Sequence, residues 1–320
     1  MQEYNICLCA NNNVVEYMSA LIVSILRNSS QDEEFIFHII TSCISEENKN
    51  YLNELKNIKN FQLKYYNPIH REKFEKWYSE KTPQKWPVEV FFKLDIPFIL
   101  KDLDKVLYLD CDMIAVNNFK ELFDINMDNY TVAAAKDKLI SNSHLKKIKL
   151  NKSNGYFNSG LLLINIKNFN TLFPNDTFLE KIDKYLNNIK IVEYPEQDII
   201  NIIFNNKIKP IDSKYNCVSA IVKKDKEVQD TIIAHYTLLK PLYKNAYPQK
   251  NKLYYAFWKY FIETPYFKNN TSKYVNILIE QGNQDIIKHN KLIDSISWWI
   301  PFREMRNNFK LKYKKETKYI

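Results

Sequence analysis

The chain has 320 residues, 45% hydrophobic and 26% charged, which allows a full core in one large α/β domain with additions or in two small ones, with one main domain expected. Its net charge of +9 is uneven, +5 of it falling between Arg303 and Ile320, in a sequence rich throughout in Lys, Asn, Ile and Tyr; charge alone is then a weak sign of nucleic acid, and no nucleic-acid partner is expected. The N-terminus lacks a basic region followed by an apolar core, no stretch approaches the roughly 18 apolar residues of a membrane span, and five cysteines without metal-type spacing suit buried thiols in a reducing cytoplasm.

Tyr4 to Ala10 reads as a first strand closed by Asn11-Asn12-Asn13, and Glu16 to Leu26 as a helix with Met18, Leu21, Ile22 and Ile25 on one face. A second strand, Phe35 to Thr41, is followed by Ser45, which caps a helix with Glu46 and Glu47 in its first turn. Phe61 to Tyr66 is a third strand, Val88 to Leu100 a helix around Pro97, and Lys105 to Leu109 a further strand. Thr131 to Lys136 is strand-like and ends at Asp137, and Gly155-Tyr-Phe-Asn-Ser-Gly160 leads into the strand Leu161 to Ile166. A helix from Thr177 to Asn187 precedes Glu193-Tyr-Pro-Glu-Gln-Asp198, where Pro195 suits a helix start. The strand Thr231 to Ala234 runs into His235-Tyr-Thr-Leu-Leu-Lys-Pro241. This alternation predicts a parallel-rich sheet with helices on both faces and a ligand site beyond the carboxyl ends of its strands.

At that edge stands Asp110-Cys111-Asp112. Residues two apart on a strand share a face, so the two carboxylates are expected to point one way and Cys111 the other. Paired carboxylates hold hard divalent cations such as Mg²⁺ and Mn²⁺, which keep open positions for phosphate oxygens, so a metal-bound diphosphate is the natural ligand. The same edge should gather Asn11 to Asn13. Only three glycines occur in the chain and two flank Asn158, which predicts an unusual turn that aims this amide. Taken singly, His235 reads better as a satisfied core histidine and Gln197 as a solvated helix start, and Lys240 could be a surface lysine before a proline.

Taken together and in order, these segments resemble glycosyltransferase family 8, the retaining sugar-nucleotide transferases that include bacterial lipopolysaccharide galactosyl- and glucosyltransferases. The resemblance runs from about Tyr4 to Pro241 and rests on an Ala plus polar triplet, Lys-Val-Leu-Tyr-Leu-Asp-Cys-Asp, Tyr-Phe-Asn-Ser-Gly-Leu-Leu-Leu-Ile-Asn, Glu-Gln-Asp and His-Tyr-Thr followed by Lys-Pro. It implies a GT-A-type, Rossmann-like mixed sheet flanked by helices, with a catalytic domain over 1–245 and a helical, aromatic and basic extension over 246–320. By the same resemblance Asp110, Asp112 and His235 would ligate Mn²⁺ (or Mg²⁺). Ala10, Asn11, Asn13, Lys93, Cys111, Asp137 and Lys240 would join the two aspartates in binding the donor, Asn11 and Asn13 against the nucleoside and Lys240 at the diphosphate. Gln197, Asp198, Asn158 and Glu196 would form the catalytic set around the donor sugar. The sequence departs from the family pattern in having Asn11, Val14, Lys93 and Glu196 where Asp, Tyr, Arg and Asp are usual, and its His-to-Lys motif is one residue short and lacks a Gly.

The tail adds Trp298-Trp299-Ile-Pro-Phe302 and a helix in which Phe302, Met305, Phe309 and Tyr313 recur at helical spacing, with Arg303, Arg306, Lys310 and Lys314 largely off that stripe. Such a helix suits either an anionic membrane surface or the protein's own flank. The expected function is Mn²⁺-dependent, retaining transfer of glucose or galactose from UDP-glucose or UDP-galactose to a bacterial surface glycan or glycolipid, in the cytoplasm or on the inner face of the membrane. A non-catalytic sugar-nucleotide binder is the alternative from another class. A nucleotidyltransferase is the enzymatic one, disfavoured because no Gly-rich phosphate loop lies near the N-terminus.

Overall fold

The computed structural model describes residues 2–150, 155–222, 225–238, 240–244 and 252–316. The first apolar runs form neighbouring strands: β1 (Gln2–Cys9) pairs in parallel with β2 (Glu33–Ile40) and with β4 (Lys105–Leu109), and β2 with β3 (Gln62–Tyr66). β5 (Met113–Ala115) leaves this sheet, whereas β6 (Val132–Ala135), β7 (Leu161–Asn165) and β8 (Ile208–Ile211) complete it in the order β3-β2-β1-β4-β7-β6-β8. β7 runs antiparallel to both β4 and β6. The sheet is thus mixed, because the 155–160 turn returns the chain alongside β4 without a full helical crossover.

Side-chain alternation divides the core between the two faces. Ile6, Leu8, Leu107, Leu109, Leu161 and Leu163 pack toward the helices Val15–Arg27 and Lys252–Phe261. Cys7, Val106, Tyr108, Leu162 and Ile164 pack toward the helices Arg71–Lys81, Ile166–Leu172, Thr177–Asn187 and Pro195–Phe204. Phe257 and Trp258 of the C-terminal part lie in the same core cluster as β1. The 245/246 boundary lies outside the described residues.

A second, small sheet places the last motif. β10 (Ile233–His235) pairs antiparallel with β5 and in parallel with β9 (Cys217–Val218). His235 is thereby registered against Met113, immediately after Asp112.

Three expectations change in detail. The Val88 to Leu100 segment is a 3₁₀ turn, Val88–Asp95, followed by the short helix Ile96–Ile99, because Pro97 has no N–H to donate back to the Lys93 carbonyl. Cys43 is an exposed thiol, although Cys7 and Cys111 are buried. The tail helix Arg303–Tyr313 folds back on Gln284–Ser297, with Lys310 and Lys314 3.0 and 2.8 Å from Asp294. Trp298, Trp299, Phe302 and Met305 are exposed around the corner of this hairpin, while Phe309 is half-buried; residues 317–320 of the tail lie outside the described residues. Among the described residues no helix is long and apolar enough to cross a membrane.

The face beneath β7 is held by an aromatic cluster in which the Phe169 ring lies 5.5, 5.1 and 5.0 Å from those of Phe98, Phe173 and Phe178. Phe169→Ala should lower the unfolding free energy by about 3–5 kcal/mol, the cost of emptying a buried aromatic site. Urea unfolding monitored by far-UV circular dichroism checks this, and a near-neutral result would show that the cluster collapses freely into the gap.

Candidate active site

β4 ends at Leu109, yet its pairing continues one residue further, the Asp110 N–H donating to the Gly160 carbonyl at 2.7 Å. On the other side the Tyr236 N–H donates to the Asp112 carbonyl at 3.0 Å. These two tethers bring Asp110, Asp112 and His235 together, with ligand atoms all within 4.8 Å of one another. His235 Nε2 is 3.4 Å from Asp112 Oδ1 and 3.8 Å from Asp110 Oδ2. Cys111 is turned away, its thiol 3.4 Å from the Cys9 carbonyl. The divergence expected of a strand is therefore reached by a turn beyond it.

Two carboxylates and an imidazole nitrogen suit a divalent cation of the Mn²⁺ or Mg²⁺ type, and the residues present fit such an ion. Lys240 Nζ also contacts Asp112 Oδ2. Burial would push the Asp112 carboxyl up, but the Lys240 ammonium overcomes it and holds the group well below the usual carboxylate range.

On the opposite side of Asp110 lies Lys93, with 2% of its side chain exposed. Its ammonium donates to Asp110 Oδ1 at 3.2 Å, Glu196 Oε1 at 3.2 Å and the Ser159 carbonyl at 3.3 Å, and lies 4.7 Å from the centre of the Tyr108 ring. The Tyr108 hydroxyl donates to the same Asp110 oxygen at 2.5 Å. Burial alone would lower the Lys93 pKa, but the carboxylates of Asp110 and Glu196 raise it above its ordinary value.

The helix Pro195–Phe204 delivers Gln197 to the same edge. Its Oε1 accepts the Ser159 N–H at 3.0 Å and its Nε2 donates to Asp137 Oδ2 at 3.1 Å. Asn158 donates to that Asp137 oxygen at 3.3 Å. Asp198, one residue on, is fully buried, its Oδ1 taken by the Tyr156 hydroxyl at 2.6 Å and by His144 Nε2 at 2.8 Å. Burial raises the Asp198 pKa, opposed by those two hydrogen bonds. At the end of β1, Ala10 is buried with its N–H on the Ile40 carbonyl, Asn11 is half-buried with Oδ1 accepting the Asn13 N–H at 2.9 Å, and Asn13 is exposed.

Residues 5–241 match the sequence profile of glycosyl transferase family 8. The chain belongs to that family. A lipopolysaccharide 1,2-glucosyltransferase of Escherichia coli is 27% identical over 295 residues, 86% of this chain and 80% of that protein. A Haemophilus influenzae relative is 27% identical over 217 residues, and the chain spans only 63% of its length. Among solved structures, galactosyltransferase LgtC in complex with donor and acceptor sugar analogs has the same fold, with a TM-score of 0.66 over 84% of this chain and 99% of that one at 20% identity. With its seven-stranded mixed sheet, the chain has the GT-A fold.

Several residues of this family 8 site carry no sequence signal. Asn216 lies in a segment without a motif, yet it contacts His235 Nδ1 at 2.9 Å and Asn158 Oδ1 at 2.8 Å. Asn201 clamps the turn at Phe157 through both its backbone groups, at 2.7 and 2.8 Å. Tyr108 was within reach of the alternation rule, two residues before Asp110. The two glycines act differently: Gly155 has a φ of +76°, whereas a Cβ at Gly160 would lie 2.4 Å from His235 Cε1, so Gly160 is there for clearance. Leu239, within the shortened His-to-Lys motif, lies outside the described residues.

Lys93→Met should destabilise the protein by about 3–5 kcal/mol, because two acids lose their buried cation. Urea unfolding of both proteins reads this, and a near-neutral difference would mean that water reaches the two stranded carboxylates.

Proposed function

We propose that the protein is a cytoplasmic, Mn²⁺-dependent (or Mg²⁺-dependent) retaining hexosyltransferase that moves glucose or galactose from a UDP-sugar to a bacterial surface glycan such as lipopolysaccharide, lipooligosaccharide or capsule. The observation that carries this reading is the meeting of Asp110, Asp112 and His235 on the same edge as Gln197 and Asn158. Residues 1–245 carry the chemistry in this reading, and 246–320 form the extension.

A bound divalent ion supplies charge neutralisation for the departing diphosphate. Asp110, Asp112 and His235 hold it, and Lys240 adds an ammonium that can turn from Asp112 to a phosphate oxygen. Asn11 and Asn13 lie against the nucleoside at the end of β1, where Ala10 and Cys111 shape the floor. Asp137 and Asn158 bond the donor sugar's hydroxyls. Gln197, oriented by Ser159 and Asp137, sets its amide oxygen near the anomeric carbon as positive charge develops there. Glu196 keeps Lys93 in place.

A double displacement needs a carboxylate with a free oxygen beneath the anomeric carbon. Glu196 is bonded to Lys93 and Ser159, and Asp198 to Tyr156 and His144. The proposed route is same-face attack, with Asp198 acting through the helix start it anchors; both bonds to Glu196 fall on Oε1, which makes Glu196 the residue whose substitution would reveal a double displacement. Beside Asn158 a cavity of about 240 Å³, lined by Lys136, Asp137, Asn216 and Asp230 among others, offers polar room for the acceptor. The Escherichia coli relative's name as a lipopolysaccharide 1,2-glucosyltransferase supports a surface glycan.

UDP should raise the melting temperature only with Mn²⁺ present, since a ligand that binds only the folded state stabilises it by mass action, and Asp112→Asn should abolish that effect. The same mixture with UDP-glucose or UDP-galactose should slowly release free sugar, which a binding-only relative would not do. Equal stabilisation by UDP in EDTA would remove the metal from the reading.

The extension docks on an anionic membrane through residues 298–320 in this reading. Its support is the hairpin corner, where Trp298 and Trp299 are 72% and 90% exposed and Arg303 and Arg306 follow. Replacing both tryptophans by serine should weaken binding to anionic vesicles and leave transfer to a small soluble acceptor intact, and wild-type binding should fall with salt. Vesicle sedimentation gives the answer; binding unchanged by the substitutions would move the contact elsewhere.

A further inference from the structure

We infer that Asn216 is a positioning residue: it fixes the tautomer of His235 so that the Nε2 lone pair faces Asp110 and Asp112, and it ties this nitrogen to the Asn158–Asp137 side of the site. The inference rests on the reading of Asp110, Asp112 and His235 as the metal-holding set.

The assignment follows from a donor that has no choice. The Gly160 backbone N–H lies 2.9 Å from Asn158 Oδ1, so that atom is the acceptor and the other end of the Asn158 side chain is its NH₂ group. That NH₂ then points to Asp137 Oδ2, a carboxylate oxygen, as it must. With Asn158 Oδ1 fixed as an acceptor, the Asn216 atom 2.8 Å away has to be its Nδ2 donor. A flipped Asn216 would set two carbonyl oxygens at that distance. Asn216 Oδ1 therefore faces His235 Nδ1 at 2.9 Å and accepts from it, so Nδ1 carries the proton. In the neutral ring Nε2 is then bare, and it is this nitrogen that stands 3.4 and 3.8 Å from the two carboxylates.

The opposite tautomer would make Nε2–H a donor to Asp112 and would satisfy the carboxylate without any cation. Asn216 blocks that arrangement. It is buried, with 5% exposure, and both ends of its amide are used. Gly160 contributes twice, through the N–H that starts the chain and through the missing Cβ that lets the His235 ring sit against it. The partner that orients a ligating imidazole from behind is commonly worth 10- to 100-fold in metal affinity.

Two measurements on the full chain test this. Long-range ¹H–¹⁵N correlation spectra of the metal-free wild-type protein, at a pH where the imidazole is neutral, should show His235 protonated at Nδ1 and bare at Nε2; an Nε2–H signature overturns the inference whatever the variants do. Titration with Mn²⁺ alone, followed by electron paramagnetic resonance, should show affinity falling about 10- to 100-fold in Asn216→Leu. Asn216→Asp keeps the acceptor toward Nδ1 but sets a carboxylate oxygen against Asn158 Oδ1, so its Mn²⁺ affinity should fall less than that of Asn216→Leu. Equal losses in both variants would reduce Asn216 to a packing role. If the wild-type protein binds no Mn²⁺, the metal reading fails while the tautomer measurement still decides the role of Asn216.

Discussion

Lys93 carries an ammonium into a place where water cannot follow, and the cost of doing so dictates where three separate segments must lie. Moving an unpaired ammonium out of water costs several kcal/mol after relaxation. Here it is offset by carboxylates from the end of β4 and from the first turn of the helix Pro195–Phe204, and by the Ser159 carbonyl of the turn before β7. None of these segments can shift without stranding a charge. The Asp110–Asp112 pair is thereby shared between two cations, Lys93 on one carboxylate and Lys240 on the other. That arrangement lets two acids lie side by side in a poorly hydrated cleft.

Six strands of the main sheet were legible because each contains a short apolar run closed by polar residues, whereas β8, only four residues long and carrying Lys209 and Pro210, was not. The direction of β7 was not, since an antiparallel return after a turn and a parallel one after a helix look alike in hydrophobicity. The place of His235 was equally hidden. It depends on β5, three residues long, pairing with a strand more than a hundred residues later, and no local pattern marks so short a partner. Family order told which residues to gather, whereas register explains how they meet.

Helical geometry accounts for the different surroundings of Glu196, Gln197 and Asp198. Successive residues are rotated by about 100° around a helix, so three in a row cannot all face one cleft. Glu196 and Gln197 face Ser159 at the sheet edge, and Asp198 turns inward to Tyr156 and His144. In the tail the expected stripe of aromatics was read from one helix alone. A partner helix takes up Lys310 and Lys314 through Asp294, covers part of Phe309, and leaves the hairpin corner as the apolar feature.

The polar groups of the site form one circuit. From His235 it passes through Asn216, Asn158, Asp137, Gln197, Ser159, Glu196 and Lys93 to Asp110, which stands again beside His235. Nearly all its members are half-buried or fully buried, so a missing bond leaves a partner without water to replace it. Substitutions along such a path should not add independently, because residues in one network share the same partners. The metal-side imidazole and the sugar-side amides are therefore not two sites that happen to adjoin: a change that rotates Asn158 alters what Asn216 can accept, and so alters which nitrogen of His235 is free.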